Sequence, residues 1–348
     1  MGNPSYNLFN LKPVIFNNHR LEILDQTKLP NQVVYRRLRD YRAVAEAIKT
    51  LQVRGAPLIG ITAAFGLALE ANKKKRNLKK HLIRVAEVLK QSRPTAVNLA
   101  WALDRCLARI ENVPEPILAE SVTAEAEKIY QEETMRSLAL GEIGARLVKK
   151  NSNIITICNT GKLAAPGLGT ALAVIYTAFF QKKNPAVYVC ETRPLLQGAR
   201  LTMFELVQAG IPATLITDNM VGAVVQEKQI DMFLVGADRI AGNGDTANKI
   251  GTLTLAIIAH YYQKPFYVVA PVSSFDLTKP NGAEIPIELR DKIEVTQIMG
   301  KPVAPQKAKV YNPAFDITPN ELITAFITDK GIVYPPFHKN ICKILKAT

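Results

Sequence analysis

The chain has 348 residues, which at about 150 residues per domain corresponds to two domains. Hydrophobic residues make up 48% and charged residues 21%, a foldable composition that excludes intrinsic disorder, and glycine and proline lack the period of a fibrous protein. Basic residues exceed acidic ones by 44 to 30, a formal net charge of +14, which admits nucleic acid, a membrane surface or an anionic small molecule as partner. The four cysteines, Cys106, Cys158, Cys190 and Cys342, show no CxxC spacing, and histidine occurs four times. A zinc site and a disulfide framework are therefore not expected. The N-terminal stretch lacks the charged and apolar regions of a signal peptide. The longest uncharged run, Leu163 to Phe180, is broken early by Pro166, Gly167 and Gly169, so it reads as a loop feeding a buried helix. The expectation is a cytoplasmic protein without membrane attachment.

Residues 1–148 read as a mainly helical domain after a short β-rich opening. Val33–Arg37 has the pattern of a strand, and Ala43–Leu51, Ala56–Ala71, Lys80–Gln91 and Val97–Ile110 carry helical spacing. A further helix starts at Ser121 and runs to about Val148. Residues 149–348 change rhythm. Short β-branched runs (Ile154–Cys158, Ala186–Cys190, Ala213–Thr217, Phe233–Gly236, Pro265–Ala270) alternate with helical stretches (Gly169–Phe180, Gly198–Gln208, Ala247–Tyr262). Such alternation predicts an α/β domain built on a parallel sheet with both faces covered. The positive charge is concentrated in the first part: residues 1–150 hold 25 basic and 15 acidic residues, a net of +10, leaving +4 for the remainder.

In doubly wound sheets, ligands lie beyond the carboxyl ends of the strands, so the residues there carry the information. Asn159-Thr160-Gly161 and Gly167-Leu168-Gly169-Thr170 follow the first such strand, and a glycine-rich turn before a helix is a natural seat for an anion. Gly167 and Gly169, with Glu191 further on, suggest part of a dinucleotide fingerprint, but Leu172 stands where a small residue is needed for close helix packing. Cys158 and Cys190 both end apolar strands. Either is a small buried hydrophobe or a thiol activated by its surroundings, and position alone does not choose between them.

The segment from Val235 to Asp245 ends another strand with two carboxylates, Asp238 and Asp245, each suited to acid–base work or to an Asx turn. An ordinary aspartate is protonated about once in a thousand at pH 7, so an acid role requires a raised pKa. Asn248 and Lys249, expected to open the next long helix, offer an amide and a cation to a phosphate or hydroxyl. Arg54-Gly55-Ala56-Pro57 and Arg93-Pro94-Thr95 set arginines just before helix starts, where a guanidinium can bind phosphate in bidentate fashion. Glu191-Thr192-Arg193-Pro194 with Gln197-Gly198 is a further polar cluster at a strand end. The basic run Lys73–Arg76 with Lys79 and Lys80 has no interleaved aromatics, so it reads as a solvated loop and not as a nucleic-acid site.

In order along the chain, VRGAPLIG, RPTAVNLAW, CNTG, ETRPLLQGARLT, IPATLITDNM, GADRIAGNGDTANKIGT and IPIELR resemble the methylthioribose-1-phosphate isomerases. That family shares a superfamily with the regulatory exchange-factor subunits of translation initiation factor 2. The resemblance runs from about Leu21 to Lys330 and Gly331. It implies a small N-terminal domain, a Rossmann-like C-terminal domain, a homodimer, a small phosphorylated sugar as substrate, and no metal or nucleotide cofactor. It also implies Cys158 and Asp238 as catalytic residues, and Arg54, Gly55, Ala56, Arg93, Gln197, Asn248 and Lys249 as substrate contacts. The sequence departs from the family pattern locally: Ile157 stands for a histidine, Cys190 for an aspartate, Lys162 for a small residue, and Ala164-Ala165-Pro166 is unusual. Isomerases of ribose 1,5-bisphosphate or 5-deoxyribose 1-phosphate would use the same groups. A non-catalytic regulatory subunit is the alternative from another class, and retention of Cys158 and Asp238 argues against it.

Overall fold

The computed structural model describes residues 11–73, 76–94 and 96–346. Thr95 and two lysines of the basic run, Lys74 and Lys75, lie outside the described residues. The chain is a mixed α/β protein that packs as two compact units. One comprises Met1–Arg136 with Lys162–Gly169, and the other Ser137–Gly161 with Thr170–Thr348.

The first unit opens with β1 (Val14–Asn17), β2 (Arg20–Leu24) and β3 (Tyr35–Leu38), which pair antiparallel in that order. Helices α1 (Tyr41–Lys49), α2 (Ala56–Ala71), α3 (Leu78–Gln91), α4 (Val97–Asn112) and α5 (Leu118–Ala145) follow. Asp40 caps α1 by accepting the Ala43 N–H at 2.9 Å. Helix α2 is apolar on every face and buried from Leu58 to Ala71, so it forms the centre of this unit rather than a surface helix. Its N-terminal turns cross α4 so closely that a Cβ on Gly60 would stand 2.6 Å from the Asn98 carbonyl oxygen. Arg105 of α4 is held to α5 by Glu125 and Glu132, both at 2.5 Å, and Arg109 reaches Glu125 at 3.0 Å. Sequence rhythm changes at the end of α5, near residue 148, whereas the packing divides within that helix, because turns after Arg136 lie against elements of the second unit, as Gly141 does against Thr177.

The second unit continues with β4 (Asn153–Thr156), α6 (Ala171–Phe180), β5 (Ala186–Cys190), α7 (Met203–Gln208), β6 (Ala213–Ile216), α8 (Val221–Glu227) and β7 (Met232–Val235). Next come β8 (Arg239–Ala241), β9 (Thr246–Lys249), α9 (Thr252–Tyr261), β10 (Phe266–Val269) and β11 (Phe275–Asp276). Then α10 (Ile293–Thr296), β12 (Gln297–Ile298), β13 (Lys301–Pro302), β14 (Phe315–Thr318), β15 (Ala325–Thr328), β16 (Gly331–Val333) and α11 (Phe337–Lys346) complete it. The main sheet runs β16-β15-β10-β7-β4-β5-β6, parallel except for β16. Every residue of β7, β10 and β15 is buried, as a parallel sheet covered on both faces requires. From β4 the chain winds outward to β5 and β6, then returns to the other side of β4 with β7. The strand order therefore reverses between β4 and β7, which is the doubly wound arrangement.

One expectation is overturned. Asn248 and Lys249 do not open the helix that follows: they end β9, which pairs with β14 on one side and β8 on the other. The helix begins only at Thr252, after Gly251 turns the chain in the left-handed region at φ +101°. The pairing that makes this segment a strand comes from residues 315–318, too distant to register in local spacing.

The β8–β9 turn is tied by Asp245. Its carboxylate accepts from Asn243 Nδ2 (2.8 Å), Gly282 N (2.9 Å), and Asn320 N and Nδ2 (both 3.0 Å). Burial alone would raise its pKa, but these donors outweigh burial and hold the carboxyl below its ordinary value. Among the described residues no helix is long and apolar enough to cross a membrane.

This packing sets the expected effect of three substitutions on stability. Alanine at Gly60 adds helix propensity of about 1 kcal/mol, yet the clash with the Asn98 backbone should turn the balance into a net loss of about 1–3 kcal/mol. Gly222 in α8 has nothing within 4 Å of a built Cβ, so Gly222→Ala should raise stability by about 0.5–1 kcal/mol. Urea midpoints of the two variants moving in the same direction would refute this. For Asp245→Ala, the loss at pH 7 should be about 2 kcal/mol or more. A depressed native pKa contributes stability above the ordinary aspartate pKa, and that contribution disappears as pH falls through the native value. The difference between wild type and Asp245→Ala should therefore shrink below about pH 4, the ordinary aspartate range, and a gap that is constant with pH would count against it.

Candidate active site

Cys158 and Asp238 follow β4 and β7, the two neighbouring strands between which the sheet order reverses. This is the place where an open α/β sheet offers a crevice at its carboxyl edge. Cys158 is partly exposed and adopts φ +64°, a left-handed conformation that costs a non-glycine residue about 1–2 kcal/mol. Two threonine hydroxyls hold it there. The Cys158 N–H donates to Thr192 Oγ1 at 2.8 Å, and Thr202 Oγ1 donates to the Cys158 carbonyl at 2.6 Å.

Thr192 is itself strained, at φ +69° and fully buried, an unusual state for a β-branched residue. Its N–H and that of Arg193 donate to the two carboxylate oxygens of Asp218, at 2.8 and 2.7 Å, and its hydroxyl donates to the Cys190 carbonyl at 3.0 Å. That hydroxyl therefore bridges the ends of β5 and β4. Cys190, in contrast, is fully buried, and burial followed by the charge of Asp218 pushes its thiol well above the ordinary range. Of the two strand-end cysteines, only Cys158 presents a partly exposed thiol.

Gln197 precedes a single wide turn, Gly198–Thr202, that leads into α7. Residue 198 has to be glycine, since a Cβ there would lie 1.8 Å from the Cys190 carbonyl oxygen. The Gln197 side chain is buried, and its Oε1 has no hydrogen-bond partner among the described residues. A buried acceptor left unpaired costs about 1–3 kcal/mol, which a donating ligand hydroxyl would recover.

Asp238 stands where the chain leaves the main sheet for the β8–β9 hairpin, and its N–H donates to the Ala247 carbonyl at 3.0 Å. Arg239 pairs with Ala247, so extending the register by one residue sets Asp238 opposite Asn248. Asn248 is buried and donates through Nδ2 to Thr252 Oγ1 at 2.9 Å. Lys249 donates to the Ala314 carbonyl at 2.7 Å and lies 4.8 Å from the centre of the Phe315 ring. Asp316 accepts from the first turn of α9 through Gly251 N (2.7 Å) and Leu253 N (3.2 Å), while burial raises its carboxyl to about 6. Asp316 did not stand out in the sequence, and Thr192 stood there only as one member of the polar strand-end cluster Glu191–Pro194. The signal available for Thr192 was its place after a strand end, two residues beyond Cys190.

Arg54, Gly55, Ala56 and Arg93 belong to the other compact unit. Arg54 Nε donates to Gln26 Oε1 at 3.3 Å, and Gln26 Nε2 donates to the Leu163 carbonyl at 2.7 Å. Gly55, at φ +92°, would place a Cβ 2.3 Å from the Ala164 carbonyl oxygen, so residues 162–169 pack directly on the entry to α2. Arg93 lies three residues before the cap of α4, and the contact of Gly60 with Asn98 brings the N-terminal turns of α2 and α4 together. Both arginines therefore precede the joined ends of one helix pair, where N-terminal N–H groups favour an anion.

The sequence matches the profile of the Initiation factor 2 subunit family over residues 52–335. It is 48% identical over 342 residues to the methylthioribose-1-phosphate isomerase of Desulforamulus reducens, covering 96% of this chain and 99% of that one. To the enzyme of the same name from Chloroflexus aurantiacus it is 51% identical over 334 residues, covering 94% and 96%. The crystal structure of 5-methylthioribose 1-phosphate isomerase from Pyrococcus horikoshii superposes with a TM-score of 0.91 at 40% identity, covering 100% of this chain and 99% of that one. A structure described as translation initiation factor eIF-2B, subunit delta, from A. fulgidus gives 0.88 at 42% identity, covering 97% and 100%. The chain belongs to the Initiation factor 2 subunit family and, within it, to the methylthioribose-1-phosphate isomerases.

Proposed function

We propose that the chain converts 5-methylthioribose 1-phosphate into 5-methylthioribulose 1-phosphate, an aldose–ketose isomerisation in methionine salvage. The observation that carries this reading is the pairing of a partly exposed thiol and a carboxyl, Cys158 and Asp238, beyond two adjacent parallel strands at the sheet's reversal point. The same reading takes the second unit as a Rossmann-like catalytic domain, the chain as a cytoplasmic homodimer, and its ligand as a sugar phosphate rather than a nucleic acid.

The chemistry explains why these residue types are needed. The phosphate on the anomeric oxygen prevents simple opening of a hemiacetal, so an acid must protonate the ring oxygen as the bond from C1 to that oxygen breaks. Asp238 supplies this proton. Hydrogen then passes from C2 to C1, either as a proton by way of an enediol-like state or as a hydride. The C2 hydroxyl finally gives up its proton as the ketone forms, which restores the proton count. Cys158 acts in the transfer step as base or as stabiliser of the transition state. Arg54, Arg93 and Lys249 hold phosphate and hydroxyls, assisted by the N–H groups of Gly55 and Ala56 at the start of α2. The unpaired Gln197 oxygen and the amide of Asn248 take sugar hydroxyls. Positioning of this kind contributes several kcal/mol to lowering a barrier.

The deciding experiment is turnover by the purified protein on 5-methylthioribose 1-phosphate, ribose 1,5-bisphosphate and 5-deoxyribose 1-phosphate, scored for the ketose. Turnover fastest on the first is expected, and a preference for either of the others would reassign the substrate. The name of the A. fulgidus structure favours one further reading, a regulatory subunit without activity. Failure to turn over any of the three would support it. Asp238→Asn should lower kcat by about 1,000-fold with KM changed less than about threefold, and Cys158→Ser should lower it by about 100-fold or more. Near-normal turnover in either variant would remove that residue from the mechanism.

A further inference from the structure

The carboxylate of Glu205 is fully buried in α7, directly behind the Cys158 turn, and the isomerisation chemistry makes no use of it. Burying a carboxylate is costly unless donors surround it. Two donors come from separate elements: Asn159 Nδ2 reaches Oε1 at 2.7 Å, and the Tyr176 hydroxyl of α6 reaches Oε2 at 3.1 Å. The tyrosine is held strongly protonated, first by its own burial and then by the adjacent carboxylate, so it remains a donor. Gly161 closes over the group, since a Cβ there would stand 2.3 Å from Oε2. The carboxylate therefore occupies the space inside the Cys158–Gly161 turn.

From there a short chain of contacts leads to the thiol-bearing residue. Asn159 Nδ2 also donates to Thr202 Oγ1 at 3.2 Å, and that hydroxyl donates to the Cys158 carbonyl at 2.6 Å. Thr202 lies one helical turn before Glu205, so both residues face the same loop from a single support. Cys158 is held in a left-handed conformation that its side chain disfavours, and such a conformation persists only where its surroundings over-determine it.

We propose that Glu205 is a positioning residue for Cys158, fixing the turn from Cys158 to Gly161 through Asn159 and Thr202; its catalytic consequence rests on the isomerase reading above. The role is geometric. Glutamine at 205 can satisfy it, accepting from Asn159 with its oxygen and donating to the tyrosine oxygen with its nitrogen, because a hydroxyl both donates and accepts. Alanine cannot. Thr202→Val cuts the link to the Cys158 carbonyl while leaving the contacts of Glu205 with Asn159 and Tyr176 in place.

The test measures kcat and KM for Glu205→Ala, Glu205→Gln and Thr202→Val. It also measures the rate at which iodoacetamide alkylates Cys158 without substrate, read by peptide mass spectrometry with Cys158→Ser as blank. For Glu205→Ala and Thr202→Val, kcat should fall about 100-fold with KM within about threefold, the size expected for a reacting group displaced by about 1 Å. Their alkylation rates should change by about fivefold or more, while Glu205→Gln stays within about threefold of wild type on both measures. Wild-type kcat and alkylation in folded Thr202→Val would overturn the proposal, as would a Glu205→Gln variant as impaired as Glu205→Ala. Should Glu205→Ala not fold, Thr202→Val and Glu205→Gln decide. Should the wild type turn over none of the sugar phosphates, the isomerase reading fails, and the alkylation rates alone still support or overturn the positioning role.

Discussion

The second unit's candidate chemistry depends on one constrained peptide. Cys158 leaves the central strand β4 in a conformation that a non-glycine residue reaches only at a cost, and hydroxyls from two different segments hold it there. Thr192 comes from the end of the neighbouring strand and Thr202 from the turn before α7. Each depends in turn on a buried or half-buried carboxylate, Asp218 for the backbone around Thr192 and Glu205 for the loop that Thr202 joins. A sheet of apolar strands can build a rigid edge by burial alone. Setting a thiol at that edge in a defined direction requires polar groups that are themselves hydrogen-bonded, as Thr192, Thr202, Asp218 and Glu205 are.

The other carboxylates of the second unit are sorted by the same principle. Asp245 is surrounded by donors and held below its ordinary pKa, so it serves as a fixed anion binding three loops together. Asp316 is buried with a pKa near 6 despite two N–H groups from α9, which makes it a weak acid at the base of that helix. Asp238 has a different position, at the exit from β7 where the hairpin departs from the main sheet. Asp238 and Asp245, only seven residues apart in the chain, thus stand in unlike settings: one follows β7 where the hairpin leaves the main sheet, and the other closes a turn.

Much of the architecture was legible in the sequence because its elements are locally determined. Helix α2 and strand β5 fall where the apolar pattern puts them, from Ala56 to Ala71 and from Ala186 to Cys190. Local patterns fail where distant pairing decides. Asn248 and Lys249 are strand residues by virtue of pairing with Asp316 and Phe315, and nothing in their own neighbourhood announces this. Glu205 was illegible for a related reason, being one acid in the amphipathic-looking stretch Met203–Gln208, a pattern in which an acid reads as the solvent-facing position. Cys158 and Cys190 were equivalent by spacing and are separated by geometry: one is partly exposed in a strained turn, while the other is sealed among apolar side chains with its thiol held protonated.

The excess of positive charge takes on a different meaning once individual cations are followed. In the first unit, Lys73 contacts Glu70 at 2.5 Å, Arg105 is shared between Glu125 and Glu132, and Arg136 pairs with Glu133. In the second, Arg290 is held by Glu288 and Glu294. Pairs of this kind organise helix surfaces and are each worth about 1 kcal/mol or less where solvent reaches them. Beyond its own ion-pair distance a paired guanidinium offers an incoming anion little, because the carboxylate cancels most of its field and salt screens the rest beyond a Debye length of about 8–10 Å. Net charge therefore describes the whole surface, whereas recognition of a small anion depends on where a few cations are anchored. Arg54 donates to the Gln26 amide oxygen and Lys249 to the Ala314 carbonyl, contacts that help fix the direction of each cation.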